Sequence, residues 1–151
     1  MDSQDTIDVL NKLIETCNDG ERGFRDVAEH AQSDDLRALF TNRANEIRQA
    51  CAELRAQVVQ LGGEPENGGS ASGALHRGWV SLRGSVAGYS DKTMLEECER
   101  GEDVALERYR DALDEALPDH IRMLIERQYE GVKRNHAQVR NLRDQARAAQ
   151  V

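Results

Sequence analysis

Proline and aromatic residues are scarce in this chain. There are two prolines in 151 residues, and Phe, Trp and Tyr together make up 4%. So little proline excludes a proline-rich extended chain, and 12 glycines without a three-residue period exclude a collagen-like one. Long apolar runs are also missing; none approaches the ~18 residues of a membrane span. Positive charge is in deficit. Lys and Arg number 20 against 28 Asp and Glu, a net charge of −8, which argues against a general nucleic-acid binder. Only three cysteines occur, Cys17, Cys51 and Cys98, far apart and odd in number, which excludes a secreted disulfide scaffold. The opening Met-Asp-Ser-Gln-Asp-Thr is acidic and polar, unlike a basic-then-apolar export signal. A cytoplasmic setting with reduced thiols is therefore expected.

What is present is charge, 32% of the residues, threaded by apolar residues at helical spacing. At this length one helical domain over 1–151 is expected, burying roughly 68–70% of its unfolded surface. Ile7, Leu10, Ile14, Cys17, Phe24 and Ala28 lie on one face and predict a helix over about 5–31, with Ser3 or Asp5 as its N-cap. Ser33 caps a second helix over 34–61, carried by Leu36, Phe40, Ile47, Cys51, Leu54 and Val58. Leu61-Gly62-Gly63 ends it with a left-handed glycine. A polar loop leads to Leu75, Trp79, Leu82 and Val86, which predict a short helix over 73–87. Ser90-Asp91 opens a third long helix over 91–116, and Pro118 suits the first turn of a fourth over 118–147. Four amphipathic helices predict a four-helix bundle. The short turns make two antiparallel hairpins. The connection of about 30 residues between them is long enough to recross the bundle at 1.5 Å per helical residue, with the short helix outside.

The two hairpins resemble each other. Cys17, Gly20 and Glu21 return, in register, as Cys98, Gly101 and Glu102, and Leu36-Arg37 faces Ile121-Arg122. Cys51 then faces His136, a pairing that admits a thiol–imidazole reading. The repeat predicts a pseudo-twofold bundle with the first helix beside the third.

Several polar residues interrupt the apolar stripes: Glu21, Glu102, His136, Arg43 and Gln128. A buried charge costs several kcal/mol unless it is paired or bound to a metal. Two inward glutamates and a histidine point to a carboxylate metal site.

Duplicated hairpins, a long crossover and inward Glu on helices one and three resemble the ferritin-like superfamily. Segments such as Asn18-Asp19-Gly20-Glu21-Arg22-Gly23-Phe24, Leu61-Gly62-Gly63-Glu64-Pro65, Ala74-Leu75-His76-Arg77-Gly78-Trp79, Glu99-Arg100-Gly101-Glu102-Asp103 and Arg134-Asn135-His136 are similar to one bacterial branch, a ferritin-like domain of unknown function. The resemblance covers nearly the whole chain. It implies an all-α ferritin-like bundle and a role connected with stress. Di-iron members of the superfamily place single Glu residues on helices one and three and Glu-x-x-His on helices two and four. Glu21 and Glu102 match the single glutamates and His136 matches one histidine. The remaining positions hold Arg48 and Cys51 in helix two and Lys133 in helix four. Glu46 in a shifted frame, or Glu99 one turn before Glu102, could supply a further carboxylate.

Three readings follow. In the first, Glu21 and Glu102 pair in the core with Arg43, Arg48, Lys133 or Gln128, and His136 completes a hydrogen-bonded network. In the second, Glu21, Glu102 and His136, with Glu99 or Glu46, hold one iron or another divalent metal. In the third, a full di-iron oxidase site exists in another register. A base beside a metal is repelled by it, which sets the order. The expected function is a non-enzymatic binding or structural role; the alternative is an iron-binding or di-iron oxidoreductase role. The expected partner is a second copy in a C2 dimer through His76, Arg77 and Trp79, with neither nucleic acid nor membrane.

Overall fold

The computed structural model describes residues 2–68 and 90–149. Helix α1 runs Ser3–His30, α2 Asp34–Gln60, α3 Asp91–Leu113 and α4 Asp119–Ala148. The expected helix over 73–87, with His76, Arg77 and Trp79, lies outside the described residues.

Helix starts follow local capping chemistry. The Ser33 hydroxyl accepts from the Leu36 amide and Ser90 from Thr93, satisfying donors that the first helical turn leaves open. In α1 the cap is Asp2 rather than Ser3 or Asp5; its carboxylate accepts from Asp5 N at 2.8 Å. Pro118 sits just before α4 instead of inside its first turn, with ψ 146°. Helix α3 also stops earlier than expected, at Leu113, and Asp114 closes it.

The end of α2 is a Schellman turn. Gly63 N donates to Val58 O at 2.9 Å and Gly62 N to Val59 O at 3.0 Å, while Gly62 takes φ +82°. Gly63 is constrained by closeness: a Cβ there would lie 2.8 Å from Ile7 Cδ1. The turn thus seats the end of α2 against the start of α1.

Helices α1 and α2 form one antiparallel hairpin, and α3 and α4 the other. α1 packs beside α3, as the repeat predicts. Gln32 N donates to Asp91 Oδ1 at 3.0 Å, so the end of α1 meets the start of α3 and the two run antiparallel. α2 and α4 barely touch. The core is built from the predicted stripes. Leu10, Ile14, Phe40, Leu54, Ile121 and Ile125 are all buried, and Val27, which the stripes did not include, is buried with them. The Phe24 and Phe40 rings pack at 6.1 Å, tilted by 45°. No described helix is long and apolar enough to cross a membrane.

Candidate functional site

The polar centre of the bundle is an ion pair. Arg43 rises from α2 between buried Phe40 and Ile47, and Glu102 comes from α3 between Cys98 and Ala105. Arg43 Nε donates to Glu102 Oε1 at 3.0 Å and Nη2 to Oε2 at 3.4 Å, a two-point contact across the diagonal of the bundle. Only 2% of the Glu102 side chain and 9% of the Arg43 side chain reach solvent. Burial pushes the Glu102 carboxyl above its ordinary range, and the Arg43 charge and hydrogen bonds draw it back. Burial pulls the other way on the Arg43 guanidinium, but Glu102 outweighs it and holds that group above its ordinary value. The third Arg43 nitrogen, Nη1, donates to Glu46 Oε2 at 3.4 Å. Glu46 is mostly exposed and also accepts from Asn135 Nδ2 at 3.2 Å, linking α2 to α4.

The other predicted donors are engaged elsewhere. Glu21, the repeat partner of Glu102, accepts from Arg25 on its own helix at 2.8 and 3.0 Å. His136 Nε2 lies 2.6 Å from Asp103 Oδ1, on the α3–α4 flank. Glu99 pairs with Arg143. Arg48 and Lys133 lie outside the core, contrary to the sequence expectation. Each follows a buried stripe residue, Ile47 and Val132, and one helical step rotates a side chain away from the core by about 100°. Lys133 Nζ pairs with Glu130 at 2.8 Å and lies over the Tyr129 ring. Gln128 is buried but forms no ion pair; its contacts are those of a neutral amide. Among the described residues, no group of three or more His, Cys, Asp or Glu is arranged to hold a metal ion. A di-iron set needs carboxylate oxygens free to face the metal, and both Glu102 oxygens face Arg43. The donor atoms present at the centre therefore do not fit that cluster.

A second polar chain lies next to the pair. Cys17 Sγ sits 3.6 Å from Tyr109 Oη, and Tyr109 Oη donates to Gln128 Oε1 at 2.8 Å. Gln128 Nε2 donates to Ala50 O and to Glu53 Oε1, each at 3.1 Å, and Arg127 Nη2 meets Glu53 Oε2 at 3.0 Å. The chain runs from α1 through α3 and α4 to the surface of α2. Cys17 reads in the sequence as an ordinary stripe residue. The available signal was Gln128, a polar break that needed a buried partner.

Burial also holds the Cys17 and Cys98 thiols in their unreactive protonated form. All three cysteines are free and buried. Burial pushes Cys17 up to about 12, and Cys98 well above its ordinary value. Thiolate is the reactive form. In the native protein an aromatic disulfide reagent is thus expected to leave Cys17 and Cys98 unmodified over the time in which denaturant exposes all three cysteines. Rapid labelling of either residue in the folded protein, read by mass spectrometry, would contradict this placement.

Above both networks, a cleft of about 490 Å³ separates α2 from α4. Helices α1 and α3 supply its floor through Phe24, Cys17, Ala105 and Tyr109, and the pair Arg43–Glu102 borders it.

Four helices in two hairpins, with charged groups drawn to the centre, define a ferritin-like bundle, and solved structures agree. A bacterioferritin-related protein from Bacteroides fragilis, described as a dodecameric thioferritin, superposes with a TM-score of 0.80 at 16% identity over 99% of this chain and 91% of its own. A point mutant of Dps1 from Mycobacterium smegmatis gives 0.76 at 16% identity over 93% and 96%. The DPS protein from Vibrio cholerae O1, described as a member of a broad superfamily of ferritin-like diiron-carboxylate proteins, gives 0.75 at 15% identity over 93% and 89%. At these identities the likeness establishes the fold. The domain of unknown function DUF2383 matches residues 5–115, and the chain belongs to that family. No curated protein sequence matches it.

Proposed function

We propose that this protein is a non-enzymatic, ferritin-like binding protein whose centre is closed by an ion pair. The observation that carries the reading is the two-point contact of buried Arg43 with Glu102. A cation competing for those oxygens would have to displace a guanidinium that is itself nearly cut off from water. The resulting free Arg43 would then be repelled by the metal at close range.

A second reading, an iron-handling protein using Glu21, Glu102 and His136, draws on one feature. Arg48 and Lys133 point away from the centre, so their charges do not oppose a metal there. The test is iron content by mass spectrometry before and after anaerobic Fe(II) addition and desalting, with Glu21→Ala beside the wild type. No retained iron is expected. Retained iron that is lost in Glu21→Ala would replace the first reading with the second, one iron per chain marking a mononuclear site and two a di-iron site.

We further take the working form to be a C2 dimer in a reducing cytoplasm, with a role in stress. The assembly described for the Bacteroides fragilis protein supports self-association, and three free thiols suit a reducing compartment.

A further inference from the structure

We propose that the cleft between α2 and α4 is a binding site for an amphipathic organic anion, with an apolar ring or short chain in the floor and one acidic group at the mouth. Its volume of about 490 Å³ falls within the range of small-molecule sites. Its apolar lining includes Phe24 and Ala105 in the floor and Ile47 and Val132 on the α2 and α4 sides. The floor's polar groups are already satisfied: Arg43 by Glu102, Tyr109 by Gln128, Cys17 by Tyr109. Nothing in the floor calls for a hydrogen-bonding ligand, so the inserted part is apolar.

The mouth differs. Arg127 is held by Glu53, and Glu46 accepts from Arg43 and Asn135. Arg134, which also lines the cleft, forms no ion pair among the described residues. Its guanidinium folds back over Gly131, where an added Cβ would lie 3.7 Å from Nη2 and meet nothing else within 4 Å. A planar guanidinium at the edge of an apolar cleft suits a carboxylate or sulfonate in two-point contact. Gly131 itself keeps the mouth open, since any side chain there would enter it.

The site rests on the ion-paired reading of the centre. A metal on Glu102 would release Arg43 into the floor and give it a charge to satisfy. The probes that test it are anilinonaphthalene sulfonate, which is anionic, and N-phenylnaphthylamine, which is uncharged. Both are titrated into the folded wild type by fluorescence. Saturable one-to-one binding of both is expected. Arg134→Ala is expected to weaken the sulfonate by about tenfold and to leave the uncharged probe unchanged. Gly131→Leu is expected to weaken both while melting no lower than the wild type, because it also removes a glycine from a helix interior.

Absence of saturable binding, or binding indifferent to Gly131→Leu, would overturn the site. Equal loss of both probes in Arg134→Ala would overturn the anionic class. Iron content in the same preparation separates the two proposals: retained iron with probe binding intact would overturn the closed centre and uphold the cleft.

Discussion

Arg43→Met is expected to destabilise the protein by about 3–5 kcal/mol, because it leaves the Glu102 carboxylate buried without a cation. For a domain of this size that corresponds to a fall in Tm of about 6–20 °C. The loss depends on pH in a definite direction. Burial already pushes the Glu102 carboxyl up, and Arg43 is the main influence drawing it back. Without Arg43 the folded pKa moves further above the unfolded one. A carboxyl in that condition binds more protons folded than unfolded, so it costs nothing below the unfolded pKa. Its cost grows as pH rises and is complete above the folded pKa. Urea midpoints for variant and wild type are therefore expected to converge on acidification through the carboxylate range and to separate toward neutral pH. A pH-independent gap would assign the loss to packing. Arg43→Met with Glu102→Leu removes both charges and is expected to regain most of the stability, since a well-packed apolar pair often equals or exceeds a buried ion pair.

Tyr109→Ala is expected to cost about 3–5 kcal/mol, the range for deleting a large buried ring. Tyr109 is 2% exposed and sits where α1, α3 and α4 meet. Tyr109→Phe separates ring from hydroxyl. It keeps the packing but strands Gln128 Oε1, for about 1–3 kcal/mol. Thermal melts of the two variants give the split. If Tyr109→Phe melted with the wild type, water from the adjacent cleft would be satisfying Gln128, and the polar chain would contribute nothing to stability.

The helices were readable because their apolar period is strong and their boundaries carry specific chemistry. Ser33, Ser90 and Gly62 each do one job that few residues can do. The start of α1 was misplaced because Asp2, Ser3 and Asp5 are all competent caps, and periodicity cannot rank them. The centre was half legible. A buried carboxylate and a buried base on facing stripes implied a pair, and Arg43 with Glu102 is one of those considered. The repeat misled at Glu21, which looks equivalent to Glu102. Four residues on from Glu21 stands Arg25, a local partner that holds the carboxylate on the flank of its own helix. Four residues on from Glu102 stands Leu106, so that carboxylate has no local cation there and turns across the bundle. His136 is held differently, by Asp103 of the neighbouring helix on the α3–α4 flank. Whether a stripe carboxylate points inward was thus decided by the charge one turn away, which the apolar pattern does not record.

The Arg43–Glu102 contact also governs how the two halves can move. It joins α2 of one hairpin to α3 of the other across the diagonal of the bundle. Sliding by one turn, 5.4 Å, would carry the guanidinium away from its carboxylate and opposite apolar side chains. Opening along the α2–α4 side would meet a separate restraint, since Gln128 donates to Ala50 O and Glu53 and Asn135 donates to Glu46 across it. The pair therefore sets the lengthwise register of the two hairpins, while the hydrogen bonds between α2 and α4 set how far apart their outer sides stand.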